Sequence, residues 1–316
     1  MIAVVTGKGW LKKETAEKQL QGIDEPILYA TSYQEMLEHK DAVEIIISTN
    51  TVDSDVIAQL PNLKWIFSYS AGVENYPFEL LKEKGVRLTN TSGIHKTNIA
   101  EQVLGGMIMF SRNLLQAMAN KAHSTWDSYY IDELIGKELL IIGAGQIGKE
   151  IARKAKAFDM NVYGVRFSES KELPKNFDGM ATFDDLLSVL PGKDYICLVV
   201  PSTDETFGMI GKEQFKAMDE SAVFINVGRG NTVREDDMIK ALQAEEIKGA
   251  ILDVFEKEPL PKESPLWNMP NVIITPHNAG PTPHYAKRAF EMFRNNLARF
   301  QNGEDLANQI DLDREY

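Results

Sequence analysis

Short apolar runs alternate with longer amphipathic stretches along the whole chain. The runs are rich in aliphatic and β-branched residues and predict a first set of strands at residues 2–6, 27–30, 43–48, 65–68 and 86–89. A second set follows at residues 138–142, 161–165, 180–182, 195–200, 222–227, 247–252 and 271–275. Between the runs, helix-like stretches fill the intervals. Such alternation predicts parallel sheets with helices on both faces. The runs are nearly continuous in apolar residues, as strands covered on both sides should be. The expected fold class is α/β, with two doubly wound parallel-sheet domains.

A long helical candidate at residues 98–120, with Glu101 in its first turn, separates the two sets of strands. Another, at residues 284–302, closes the chain before Gly303, a stop signal. Read as crossings, they divide the chain into a lobe of residues 1–97 plus 285–316 and a domain of residues 98–284. Met107, Ile108, Phe110 and Leu114 on the first crossing look like more apolar surface than one small domain covers.

Residues 139–166 narrow the picture most. An apolar strand leads into Gly143-Ala144-Gly145-Gln146-Ile147-Gly148, then a helix-like stretch, then a second β-like run ending at Arg166. Strand, G-x-G-x-x-G, helix, strand is the dinucleotide-binding arrangement. Gly143 makes the tight turn, Gly145 lets a pyrophosphate approach the backbone, and Gly148 lets helix and strand pack closely. The helix N-terminus then offers unpaired N–H groups to the phosphates. NAD-binding units usually end the second strand on an acidic residue that binds the ribose 2′-hydroxyl. Here that place holds Arg166, followed by Ser168, Ser170 and Lys171. An arginine cannot accept those hydrogen bonds but can pair with a 2′-phosphate, to which Ser168 can add a bond. The expectation is therefore NADP over NAD; the alternative is that Arg166 stacks on the adenine and leaves little preference.

Composition limits the partners. The 316 residues carry a formal charge of −12, and no basic face is evident, so nucleic acid is not expected. No apolar stretch is long enough to predict a membrane span. The first residues read as a strand rather than a signal peptide, and a lone cysteine, Cys197, reads as a buried small hydrophobe. A reducing cytoplasm fits these features. No metal cluster is expected.

In open α/β sheets, ligands bind outside the carboxyl ends of the strands. In the second set the distinctive residues fall there: the glycine loop, Arg166, Pro201, Asn226-Val227-Gly228-Arg229-Gly230, Asp253 and Thr275-Pro276-His277. In the first set, Ser70-Ala71-Gly72-Val73 follows a strand and is either an ordinary turn or a nest of N–H groups for a carboxylate. Asn50 is a further pocket candidate. His39, His95, His123 and His284 stand in no comparable block and read as surface or helix-end residues, with His284 held open.

These blocks resemble the D-isomer-specific 2-hydroxyacid dehydrogenases. The likeness rests on the glycine loop, Asn226 to Gly230, Asp253-Val254-Phe255-Glu256-Lys257-Glu258-Pro259-Leu260, and Thr275-Pro276-His277-Asn278-Ala279-Gly280. The lobe segment Ser70-Ala71-Gly72-Val73-Glu74-Asn75 and the helix start Ile99-Ala100-Glu101 add to it. The resemblance implies a Rossmann domain inserted in a flavodoxin-like substrate lobe, and a homodimer formed through the dinucleotide domain. It maps the catalytic arginine, glutamate and histidine onto Arg229, Glu258 and His277. It gives Asp253 the task of orienting the nicotinamide.

Chemistry agrees with that mapping. Reduction of a 2-keto acid leaves charge on the carbonyl oxygen, and a histidine suits the donation of a proton there. A nearby carboxylate favours imidazolium and fixes the ring. An arginine fork can hold the substrate carboxylate and carbonyl oxygen. A glyoxylate/hydroxypyruvate-type reductase is the leading expectation, and a phosphoglycerate dehydrogenase-like enzyme the runner-up. A dinucleotide-sensing regulator is the alternative of another class. A methyltransferase would want an acid where Arg166 stands.

Overall fold

The computed structural model describes residues 1–6, 11–73, 75–167 and 172–313. The chain forms two compact units, one of Met1–Ile94 with Thr282–Tyr316 and one of His95–Pro281. The first contains strands β1 (Ile2–Val5), β2 (Ile27–Ala30), β3 (Ile45–Ser48), β4 (Trp65–Ser68) and β5 (Arg87–Thr89) in the order β2-β1-β3-β4-β5. Every pairing in it is parallel. This is the flavodoxin-like order, with its switch point between β1 and β3.

The strand sequences explain why this sheet is sandwiched. Residues i and i+2 share a face. Ala3, Val5, Ile46, Ile66 and Leu88 line one buried face, and Ile2, Val4, Ile45, Ile47, Trp65 and Phe67 the other. The helix Tyr285–Gln301 covers the second face with Phe290, Phe293 and Leu297. Trp65 stacks on Phe293 at 5.1 Å, and its indole N–H donates to Thr89 Oγ1 at 2.9 Å. The last crossing helix therefore completes the core of the first unit.

The second unit holds β6 (Glu138–Ile142), β7 (Asn161–Arg166), β8 (Gly179–Thr182), β9 (Tyr195–Leu198), β10 (Val223–Asn226), β11 (Gly249–Leu252) and β12 (Val272–Ile274). Their order is β12-β11-β10-β9-β6-β7-β8, all parallel. The order reverses at β6, between β7 and β9, which is the doubly wound dinucleotide-binding topology. Leu139, Ile141, Cys197, Ile225 and Ile251 face one helical layer, and Leu140, Ile142, Leu198, Phe224 and Leu252 the other. Cys197 is fully buried, and burial pushes its thiol up to about 12.

The first crossing differs from the expected single helix. It is two helices, Lys96–Ser111 and Leu114–Ala122, broken where Asn113 takes φ +50°. Asparagine tolerates that left-handed conformation better than most residues. The apolar residues of the first helix are also not surplus surface. Met107 and Phe110 are buried in the core of their own unit, and Ile108 packs against it. The exposed apolar residues begin at Leu114, the one member of that expected set that is exposed, and continue at Met118, Trp126, Tyr130, Ile131 and Ile135. Among the described residues, no helix is long and apolar enough to cross a membrane, and no group of three or more histidine, cysteine or acidic side chains could hold a metal.

Candidate active site

The loops that leave the carboxyl edge of the seven-stranded sheet are held side by side. Gly143 N–H donates to Val165 O, Val199 N–H to Ile142 O, Val227 N–H to Leu198 O, Asp253 N–H to Asn226 O and Thr275 N–H to Leu252 O, all at 2.9–3.2 Å. Each loop thus begins from a ladder bond to its neighbour, so residues far apart in sequence share one edge.

The glycine loop has the shape its sequence requires. Gly143 takes φ +110°, and a Cβ there would stand 2.6 Å from Val199 O. A Cβ at Gly148 would stand 2.2 Å from Gly143 O, so the helix Gln146–Lys156 can seat on the loop only with glycine at that place. A Cβ at Gly145 would meet no protein atom within 4 Å, which leaves its approach open. Gln146 is exposed, and Ile147 packs against the core. The features suit a dinucleotide: a turn, a close helix seat and an open approach to helix N–H groups. Arg166 ends β7 and pairs in register with Thr182 of β8. Ser168, Ser170 and Lys171 lie outside the described residues.

Pro201 is exposed at the β9 end, and its carbonyl accepts the Thr206 hydroxyl at 2.7 Å. Val227 is buried. Asn226, at 1% exposure, shapes the next turn: its Oδ1 accepts Gly228 N–H at 3.1 Å and its Nδ2 donates to Arg229 O at 3.2 Å. That turn presents Arg229 on the surface, with Nη1 on Gly228 O at 2.9 Å.

His277 and Glu258 meet. His277 Nδ1 lies 2.7 Å from Glu258 Oε2, and Glu258 Oε1 accepts Phe255 N–H at 3.0 Å. A carboxylate can only accept, so Nδ1 carries the proton and Nε2 is left to hold or release a second one. His277 takes φ +50°, a strained conformation for a residue with a Cβ. The surrounding bonds hold it there. Its N–H reaches Asp253 O at 2.8 Å and Thr275 O at 3.0 Å. The buried Asp253 carboxylate accepts the Thr275 hydroxyl at 2.5 Å, Asn278 N–H at 3.0 Å and Ala279 N–H at 3.1 Å. Asp253 therefore clamps the loop on both sides of His277, a task its sequence position does not announce.

Other supports also lie outside the sequence blocks. Gln102 Nε2 donates to Thr275 Oγ1 at 3.2 Å, Asn98 Nδ2 to Gly280 O at 3.0 Å, and His95 Nδ1 lies 2.9 Å from Gly280 O. All three come from the first turns of the crossing helix or its cap. The signal in the sequence is polar Asn98 and Gln102 four apart, on one face of the helix Lys96–Ser111.

In the first unit, Ser70 to Val73 follows β4 directly. Val73 is buried in the core, so only its backbone is available to a ligand. Among the described residues, no hydrogen-bond acceptor meets the N–H groups of Ala71, Gly72 and Val73. Asn50 follows β3 with its side chain exposed, and its carbonyl accepts the hydroxyls of Ser48, Tyr33 and Tyr76. Tyr76 is almost wholly buried, and burial pushes its phenol above the usual range.

A family model described as the NAD-binding domain of D-isomer specific 2-hydroxyacid dehydrogenases matches residues 104–279. The chain is 34% identical over 304 residues to a D-3-phosphoglycerate dehydrogenase of Methanocaldococcus jannaschii, covering 95% of this chain and 58% of that protein. It is 33% identical over 277 residues to a glyoxylate/hydroxypyruvate reductase B of Cronobacter sakazakii, covering 85% of each. Among solved structures it matches an NADPH-dependent glyoxylate/hydroxypyruvate reductase of Sinorhizobium meliloti, in complex with NADP and sulfate. That match has a TM-score of 0.81 and 27% identity, and covers 100% of this chain and 99% of the other. The chain belongs to the D-isomer specific 2-hydroxyacid dehydrogenase family. That makes it an oxidoreductase of the CH–OH group of 2-hydroxy acids, with a nicotinamide-binding Rossmann domain.

Proposed function

We propose that the chain is a reductase of a small 2-keto acid of the glyoxylate or hydroxypyruvate kind, preferring NADPH. The observation that carries the reading is the His277–Glu258 pair, 2.7 Å apart on the same sheet edge as Arg229 and the glycine loop. A bound reduced nicotinamide supplies the hydride. His277 Nε2 gives its proton to the carbonyl oxygen as hydride arrives at the carbonyl carbon, and the 2-hydroxy acid results. Glu258 holds the ring in place through Nδ1. Arg229 offers a planar fork to the substrate carboxylate. Within the first unit, the N–H groups of residues 71–73, a candidate nest for a carboxylate, and Asn50 are the proposed substrate residues. Gly143, Gly145, Gln146, Ile147, Gly148, Pro201, Val227 and Asp253 hold the coenzyme. Residues 1–97 with 285–316 serve the substrate, and residues 98–284 the coenzyme.

Arg166 supports the coenzyme preference. A charge-assisted contact is worth about 1.5–3 kcal/mol, or roughly 10–150-fold in affinity. Rates with NADPH and NADH, measured on glyoxylate, hydroxypyruvate and 3-phosphohydroxypyruvate, test both parts of the reading. NADPH should win, and Arg166→Asp should reverse the order. Equal efficiency with the two coenzymes in the native protein would remove the preference. A clear preference for the phosphorylated acid would favour the phosphoglycerate dehydrogenase-like alternative, which the Methanocaldococcus relative supports. Absence of turnover on every acid would favour a regulatory protein. The protein is also proposed to be a homodimer. The exposed Met118, Trp126, Tyr130 and Ile131 mark the surface that a second copy would cover.

A further inference from the structure

The turn that carries Glu258 is held from outside by Glu235. Glu235 opens the helix Glu235–Gln243, and its Oε2 accepts Glu256 N–H at 3.1 Å. The preceding amide, Phe255 N–H, goes to Glu258 Oε1 at 3.0 Å. Two consecutive amides of one turn are thus taken by two carboxylates, one arriving from another element and one being the His277 partner itself. The turn also rests directly on Gly230, where a Cβ would stand 1.8 Å from Phe255 O. Gly230 and Glu235 follow Arg229 within a few residues. The segment that presents Arg229 is therefore the one against which the Glu258 turn is set.

A first-turn acid is ordinary at a helix start, and Asp236 and Asp237 share that place. Glu235 differs from Asp236 in being half-buried, whereas Asp236 is exposed. Burial pushes its carboxyl above the usual range, and the Glu256 amide works against that rise. A half-buried carboxylate is costly without a donor, and the donor here belongs to the Glu258 turn.

We propose that Glu235 is a positioning residue for the Glu258–His277 pair: by accepting the Glu256 N–H it fixes the turn from which Glu258 reaches His277 Nδ1. The proposal rests on reading that pair as proton donor and partner. The test is steady-state reduction of the best keto acid of the panel over a range of pH, with full-length native protein, E235A, E235Q and E258Q. E258Q should move the pH profile toward acid. E235A should lower kcat about tenfold, a sub-ångström loss of alignment, and move the profile in the same direction with KM for NADPH unchanged. E235Q keeps an acceptor oxygen and should stay within about twofold of native.

A native-like kcat and profile in E235A would overturn the proposal. So would a fall in kcat with the profile unmoved, or E235Q impaired as deeply as E235A. Should E235A fail to fold, E235D draws the carboxylate back by one methylene and must show the same loss and shift; a native-like E235D overturns the proposal. If E258Q leaves the profile unmoved, the proton-donor reading itself fails. If E258Q moves it and E235A does not, only the role of Glu235 fails.

Discussion

Gly230→Ala should uncouple the proton donor from its partner without altering either side chain. A Cβ at Gly230 would stand 1.8 Å from Phe255 O, 2.0 Å from Phe255 C and 2.6 Å from Glu256 N. These are backbone atoms, so no rotamer change relieves the clash. Ordinary contact needs about 3.4 Å, so the turn must retreat by roughly 1.5 Å, or the Arg229 turn must move by as much. The Glu258–His277 contact is 2.7 Å. If half of the displacement reaches it, the pair opens to about 3.5 Å, where it is no longer a hydrogen bond. Misplacement by about 1 Å can cost ~10²-fold in rate, so kcat should fall roughly 10–100-fold. Overpacking costs about 1–3 kcal/mol, which lowers the thermal midpoint by several degrees. The glycine loop is built on other strands, so NADPH affinity should stay within a few-fold of native. Stopped-flow or steady-state rates, coenzyme titration by fluorescence and thermal unfolding would be measured on one preparation. A variant with native kcat would refute the reasoning, since the clash would then have been absorbed without moving Glu258. Loss of NADPH binding in proportion to rate would also refute it, by showing general disruption rather than local misalignment.

Further outcomes follow from the same geometry. His277→Ala should lower turnover by ~10²–10⁴-fold while coenzyme titration stays near native; an unchanged turnover would take the proton donor elsewhere. Gly145→Ala should leave the thermal midpoint unchanged, because a Cβ there meets no protein atom within 4 Å, yet weaken coenzyme binding. A midpoint that falls by several degrees would contradict that separation. Light scattering at micromolar concentration should give the mass of a dimer, and a monomer's mass would rule the dimer out.

The sequence made the fold legible because most strands of both sheets are short apolar runs whose alternate residues enter two helical layers. Strand ends were less legible. Residues 199–200 read as strand on hydropathy, but β9 ends at Leu198, where the chain turns into the loop that packs on Gly143. The break at Asn113 was hidden for a related reason. Apolar residues continue through Leu114 and Leu115, so periodicity carries on across a residue whose left-handed backbone ends the helix.

The candidate site divides along a similar line. Arg229, Glu258 and His277 stand in compact blocks that follow strands, and parallel topology alone brings such blocks to one edge. Their supports do not announce themselves, because each bond joins residues that only the folded chain brings together. Gln102 and Thr275 are 173 positions apart, and His95 and Gly280 are 185 apart. Glu235 reads locally as a helix-start acid and Asp253 as a strand-end acid, which is correct as far as local chemistry goes. Which amides their carboxylates take depends on how closely neighbouring loops approach, and that closeness is set by glycines such as Gly230 whose own signal is only the absence of a side chain. A site of this kind is therefore read from sequence at its reacting groups first. The residues that hold those groups to within an ångström become visible only when the loops are seen against one another, and it is on those residues that the rate of a positioned proton transfer depends.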